Sequence, residues 1–153
     1  MGTTDDTTGT NSFSSTIPST SPILTATFGP YVKLYPAVIA SYGGEEKIAA
    51  MIQASIQQAN DAGFDVDNFA VNPADPGDSI RRLEDKLRSR QFDGLLIGWG
   101  IRGNQEYTPL FEAVVHAAKE VTPRTKLLFG NAPDDLYNTL QRNFAITEST
   151  AAA

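Results

Sequence analysis

Along this chain, short runs of consecutive apolar residues alternate with longer stretches where apolar residues recur every three or four positions. Ala37-Val38-Ile39-Ala40 is a run of the first kind and predicts a first strand, opened by Pro36 where a missing N–H is tolerated. Gly43-Gly44 punctuate. Ile48, Met51, Ile52 and Ile56 then follow at helical spacing through about Asn60, and Gly63 stops that helix. Phe64 to Val71 predicts the second strand. Asp75-Pro76 supplies a cap and first-turn pair for a helix whose inner stripe is Ile80, Leu83 and Leu87. Its many charged residues, from Arg81 to Arg90, suit a solvated outer face.

The clearest buried strand is Gly94-Leu95-Leu96-Ile97-Gly98-Trp99, followed by an eight-residue segment, Gly100 to Tyr107. Thr108-Pro109 begin a helix carrying Leu110, Phe111, Val114, Val115, Ala118 and Val121. Lys126 to Phe129 predicts a fourth strand, and Leu136, Leu140 and Phe144 the inner stripe of a last helix. The resulting β-α-β-α-β-α-β-α order implies an α/β fold: a three-layer α-β-α sandwich around a short parallel sheet of four strands. Right-handed crossovers with one reversal favour the strand order 2-1-3-4, a flavodoxin-like sheet one strand short. Residues 22–35 leave room for an extra edge strand. The polar stretches 1–21 and 147–153 have little to bury and are expected to be disordered tails around a single domain over 22–146.

Composition narrows the partners. A net charge of −6 argues against nucleic acid and anionic membranes, both of which reward clustered Lys and Arg. No apolar run approaches the roughly 20 residues that span a bilayer. The first twenty residues lack the basic start and apolar centre of a secretory signal, so a cytoplasmic protein is expected. With no cysteine, disulfides, thiolate metal sites and cysteine nucleophiles are excluded. A homodimer is compatible with the chain.

Ligands of open α/β sheets bind outside the carboxyl ends of the strands, where the strand order reverses. Four loops form that rim here: Ser41–Gly44, Asn72–Asp75, Trp99–Asn104 and Gly130–Asp135. The string Gly98-Trp99-Gly100-Ile101-Arg102-Gly103 spells G-x-G-x-x-G after a strand. A dinucleotide site requires its last glycine to open a helix, and here four residues intervene before Thr108. A glycine-rich turn that lets backbones pack closely is the plainer reading.

Arg102 is the only cation across these loops, among Glu45, Glu46, Asp75, Asp78, Glu106, Asp134 and Asp135. It either pairs with one of these acids and holds its loop shut, the default for a loop arginine, or clamps a ligand carboxylate or phosphate. The acids themselves suit first helical turns, where negative charge meets the positive end of the helix dipole. No spacing demands a metal, and none is expected. Trp99, the single tryptophan, either stacks on a flat ligand or roofs the core. Ser41 is a candidate nucleophile and Tyr42 a candidate general acid. The only histidine, His116, falls about 12 Å along its helix from the rim, too far to serve Ser41.

The expected site is therefore a small-molecule rim lined by Ser41, Tyr42, Gly43, Asn72, Trp99, Gly100, Arg102, Asn104 and Asn131, for an anionic or flat aromatic ligand. A non-catalytic protein-interaction module using the Gly100–Tyr107 loop or an exposed helix face is the alternative.

Ser41-Tyr42-Gly43-Gly44-Glu45-Glu46 and Gly98-Trp99-Gly100 resemble two loops of flavodoxins, a hydroxyl-rich phosphate loop after strand one and a Trp-Gly beside the flavin. The resemblance implies flavin mononucleotide (FMN) as cofactor, although Tyr42, Gly43 and two glutamates replace that family's threonines and asparagine. The stretch from Phe92 to Asn104, with Leu110-Phe111-Glu112 and Ala132-Pro133-Asp134-Asp135, also resembles a group of short fungal and bacterial α/β proteins without an assigned activity. That likeness spans most of residues 36–145 and implies the same fold.

Overall fold

The structure is a computed structural model describing residues 20–145. The expected tails fall almost wholly outside those residues, but Ser21, assigned to the first tail, opens a strand. The elements in chain order are β1 (Ser21–Thr27), α1 (Pro36–Ser41), α2 (Glu45–Asp61), β2 (Phe64–Ala70), α3 (Pro76–Ser89), β3 (Gly94–Ile97), α4 (Trp99–Arg102), α5 (Thr108–Val121), β4 (Lys126–Phe129) and α6 (Leu136–Asn143). Short 3-10 turns occupy Gly29–Tyr31 and Gln105–Tyr107. All four strands are parallel, in the order β2-β1-β3-β4, which is the expected 2-1-3-4 arrangement.

The identity of the first strand differs from expectation. β1 is Ser21–Thr27 and lies at the centre of the sheet, whereas residues 22–35 were allowed only an edge strand. Its Ile23, Leu24, Thr25 and Ala26 are buried in succession, as a strand covered on both faces requires. Serine and threonine at its ends disguise it as polar linker, yet β-branched Ile23, Thr25 and Thr27 suit a pleated surface.

Residues 37–40 form a helix instead. Tyr35 is extended at φ −65°, ψ 143°, as the residue before a proline must be. Pro36 then sits in the first helical turn, where its fixed φ is already helical. A run of four apolar residues carries no period able to separate strand from helix, so the proline decided. Because both segments precede α2, exchanging one for the other leaves the strand order intact.

Each sheet face has its own apolar cluster. Leu24, Ala26, Leu95 and Ile97 point toward α3 and α5, where they meet Leu83, Leu87, Leu110, Val114 and Ala118. Ile23, Phe64, Leu96 and Leu128 point the other way, toward Ala59 of α2 and Leu136 and Leu140 of α6. Alternation along each strand thus feeds both layers, giving the three-layer sandwich. Gly94 is buried at the start of β3, where a Cβ would stand 2.7 Å from Leu128 Cδ1 and 3.2 Å from Ile23 Cδ1.

Candidate functional site

The reversal in strand order lies between β1 and β3, so the crevice outside their carboxyl ends is the place to look. Two segments dominate it: Phe28–Tyr35 leaving β1, and Gly98–Asn104 leaving β3. Gly98 follows straight from the strand in extended backbone, and its N–H donates to Ala26 O at 3.0 Å. Trp99 to Arg102 then coil into a single helical turn. Ile101 points down into the α3/α5 core and anchors this turn, while Trp99 remains 51% exposed. Gly103 is required beneath the indole, because a Cβ there would fall inside the Trp99 ring.

Arg102 reaches across to the exit of β4. Its guanidinium lies 4.9 Å from the centroid of Trp99 and 5.5 Å from that of Phe129. Nη2 donates to Asn131 Oδ1 at 2.7 Å and toward Gly130 O at 3.4 Å. Both acceptors are neutral. The expectation that Arg102 closes onto a local carboxylate is not met, for among the described residues it forms no ion pair. Two of the acids are engaged elsewhere: Asp78 with Arg81 and Arg82, and Asp135 with the backbone N–H of Asn131 and, at 3.9 Å, with Arg142. Asp75 caps α3 by accepting from the N–H of Asp78. Arg102 Nε is also buried without a hydrogen-bond partner, alone in this respect among the described residues. Such an atom forfeits about 1–3 kcal/mol, so its persistence calls for an explanation.

The remaining expected residues divide. Asn104 belongs to the same rim: its Oδ1 caps Glu106 N–H, and its Nδ2 donates toward Tyr35 OH at 3.4 Å, tying the β1 exit to the β3 exit. Gly100 lies against Phe28, which stacks edge-on upon Tyr107 at 4.6 Å. Burial in this contact, then the neighbouring Glu106 charge and Tyr35, raises the Tyr107 phenol above its ordinary pKa.

Asn72 serves its own loop, accepting from Ala74 N–H and exchanging hydrogen bonds with Ser79. Ser41, Tyr42 and Gly43 do not sit at the exit of β1 as expected, since they end α1. Ser41 Oγ donates back to Val38 O at 2.7 Å, and Tyr42 and Gly43 close the helix, Gly43 at φ +90°. No hydrogen bond joins Ser41 or Tyr42 to the Trp99 turn among the described residues. The loop underlying the flavodoxin resemblance therefore follows a helix, not β1.

Three strand residues near the rim had no signal strong enough to find them from sequence: Thr25, Thr27 and Asn68. All belong to β1 or its neighbour, and only recognition of β1 brings them together. Oγ1 of Thr25 and of Thr27 both donate to Asn68 Oδ1, at 2.7 and 3.1 Å. A shallow groove of about 380 Å³ lies elsewhere, where Pro73 and Pro76 face Tyr107, Pro109 and Leu110.

Fold and site together define a parallel α/β domain whose aromatic rim carries Arg102 and, on the exit of β1, the exposed Lys33. Comparison with protein-family models, curated proteins and solved structures finds no match.

Proposed function

We propose that the rim around Trp99 and Arg102 binds a small, flat anion. One observation carries this reading: Arg102 is held against two aromatic rings and donates only to neutral oxygens, in a chain of net charge −6. A planar guanidinium fits a carboxylate through two parallel N–H groups. A ligand carboxylate that displaces the exposed Asn131 amide gives Nη2 a charged acceptor, and its second oxygen can take up Nε. The half-exposed indole supplies the face on which the ligand's flat part rests. This is a binding function; His116 lies exposed on α5, and Ser41 spends its hydroxyl on its own helix.

Trp99 is the only tryptophan, so its indole N–H gives a single resonance in a ¹⁵N-correlated spectrum. Titration with 4-hydroxybenzoate should move that resonance with a Kd on the order of 1 mM, reasonable for about ten heavy atoms. Acetate and phenol, each carrying half of the chemistry, should bind more weakly. Equal response to phenol, or an unchanged response in Arg102→Gln, sinks the proposal.

A second reading is favoured by a different observation. Tyr31, Leu34, Tyr35 and Trp99, four of the five large exposed hydrophobics among the described residues, all lie on the two rim segments. Aromatic residues beside an arginine are the composition of protein-binding hot spots. FMN remains the third reading, and visible absorbance decides it: a colourless protein that ignores added flavin removes it.

A further inference from the structure

We infer that the rim carries a second subsite, at Thr27 and Asn68, for a neutral hydroxyl-bearing group of the ligand that Trp99 and Arg102 hold. The inference rests on the reading above and extends it from a flat anion to a flat anion bearing a polyhydroxylated substituent.

Asn68 lies on edge strand β2, opposite Thr25 in the register, and is exposed. The two threonine hydroxyls spend their hydrogens on its Oδ1 from one side. That pair of bonds fixes the carboxamide and leaves both N–H groups of Nδ2 without a protein acceptor among the described residues. Thr27 Oγ1, having donated, retains a lone pair. A donor and an acceptor held side by side, neither charged, complement a hydroxyl group, which can accept from one and donate to the other.

Position and continuity support the same occupant. Gly98, the residue before Trp99, borders Thr27: a Cβ on Gly98 would stand 3.4 Å from Thr27 Cγ2. Asn68 is two strands away from β3, about 10 Å across the sheet at the usual interstrand spacing, and level with Leu96, three residues before Trp99. The acids of β2 do not intrude. Asp65 and Asp67 alternate with Asn68 onto the other face, where they pair with Arg90 and Lys86.

The test compares 4-hydroxybenzoate with its extended glucoside, 4-carboxyphenyl β-D-glucoside, by the Trp99 indole resonance. The glucoside should bind the wild-type protein roughly three- to tenfold more tightly, the gain expected of one or two neutral hydrogen bonds. Asn68→Asp keeps an acceptor for both threonines but has no outward N–H. It should erase the glucoside's advantage while leaving 4-hydroxybenzoate unchanged. Gly98→Ala suits the local backbone of φ −69°, ψ 155° and should do the same by placing a methyl against Thr27.

Equal affinity of the two probes for the wild type, or an undiminished advantage in both variants, overturns the subsite. A merely structural role for Asn68 would shift thermal stability in Asn68→Asp and leave the ratio of affinities intact. Failure of both probes to bind removes the rim reading along with the subsite. A glucoside that binds through Asn68 while 4-hydroxybenzoate does not, and irrespective of Arg102, keeps the subsite and overturns the anion reading alone.

Discussion

Arg102 holds its guanidinium 4.9 Å from the ring centroid of Trp99, three residues earlier on the same helical turn. The same side chain spans to Asn131 beyond β4, so one residue orients the indole and joins the exits of two neighbouring strands. Sequence spacing supplies the first half of this arrangement, because residues three apart on a helical turn share a face. The second half exists only because β3 and β4 are adjacent.

Replacing Arg102 by Lys should therefore do more than a change between two cations suggests. The ammonium cannot stack as a plane on Trp99 and Phe129 while reaching Asn131. A loss of about 1–2 kcal/mol is expected in denaturant unfolding, from the cation–π contact and one charged hydrogen bond, with relief of the buried Nε offsetting part of it. Amide exchange at Gly130 and Asn131 should accelerate. Unchanged stability and exchange would show that the bridge holds nothing.

The assignment of β1 is open to a paired truncation. Leu24 is fully buried in the α3/α5 face, so Leu24→Ala should cost about 2–5 kcal/mol. Val38 on α1 is only half-buried, and Val38→Ala should cost under about 1 kcal/mol, since alanine also favours a helix. Chemical denaturation of both variants decides the matter, and the reverse ranking would restore residues 37–40 as the central strand.

Gly103 has φ −90° and ψ 0°, which alanine adopts without strain, yet its Cβ would enter the Trp99 ring. In Gly103→Ala the indole must leave Arg102 and turn further into water. Tryptophan emission should shift to the red with little change in the unfolding midpoint. Emission identical to the wild type would mean that the indole does not rest on Gly103.

Tyr107 should titrate above the ordinary tyrosine range, because burial disfavours the phenolate, as do Glu106 and Tyr35. The sign for stability follows. A folded-state pKa above the unfolded value means the contribution is whole below about pH 10 and is lost as pH rises through the folded pKa. Spectrophotometric titration of wild type and Tyr107→Phe checks this, and removal of a component at ordinary tyrosine pKa would contradict it.

Sequence by itself determined the helices α2, α3, α5 and α6, the strands β2, β3 and β4, and even the order 2-1-3-4. These rest on periodicity and on local stops such as Gly63 and Asp75-Pro76, which act through neighbours in the chain. It also singled out Trp99 and Arg102 as candidates, because a lone indole and a loop cation stand out in an acidic chain.

Tertiary structure alone decided which segment is β1. Ser21–Thr27 owes its strand conformation to pairing with β2 and β3 on either side, and such long-range hydrogen bonds leave no local signature. The Thr25–Thr27–Asn68 cluster followed from that choice and was hidden with it. Whether Arg102 would meet a carboxylate was likewise undecided until the fold had set Asp75 on its cap and Asp78 and Asp135 beside other arginines, since charge pairing depends on distance in space and not along the chain.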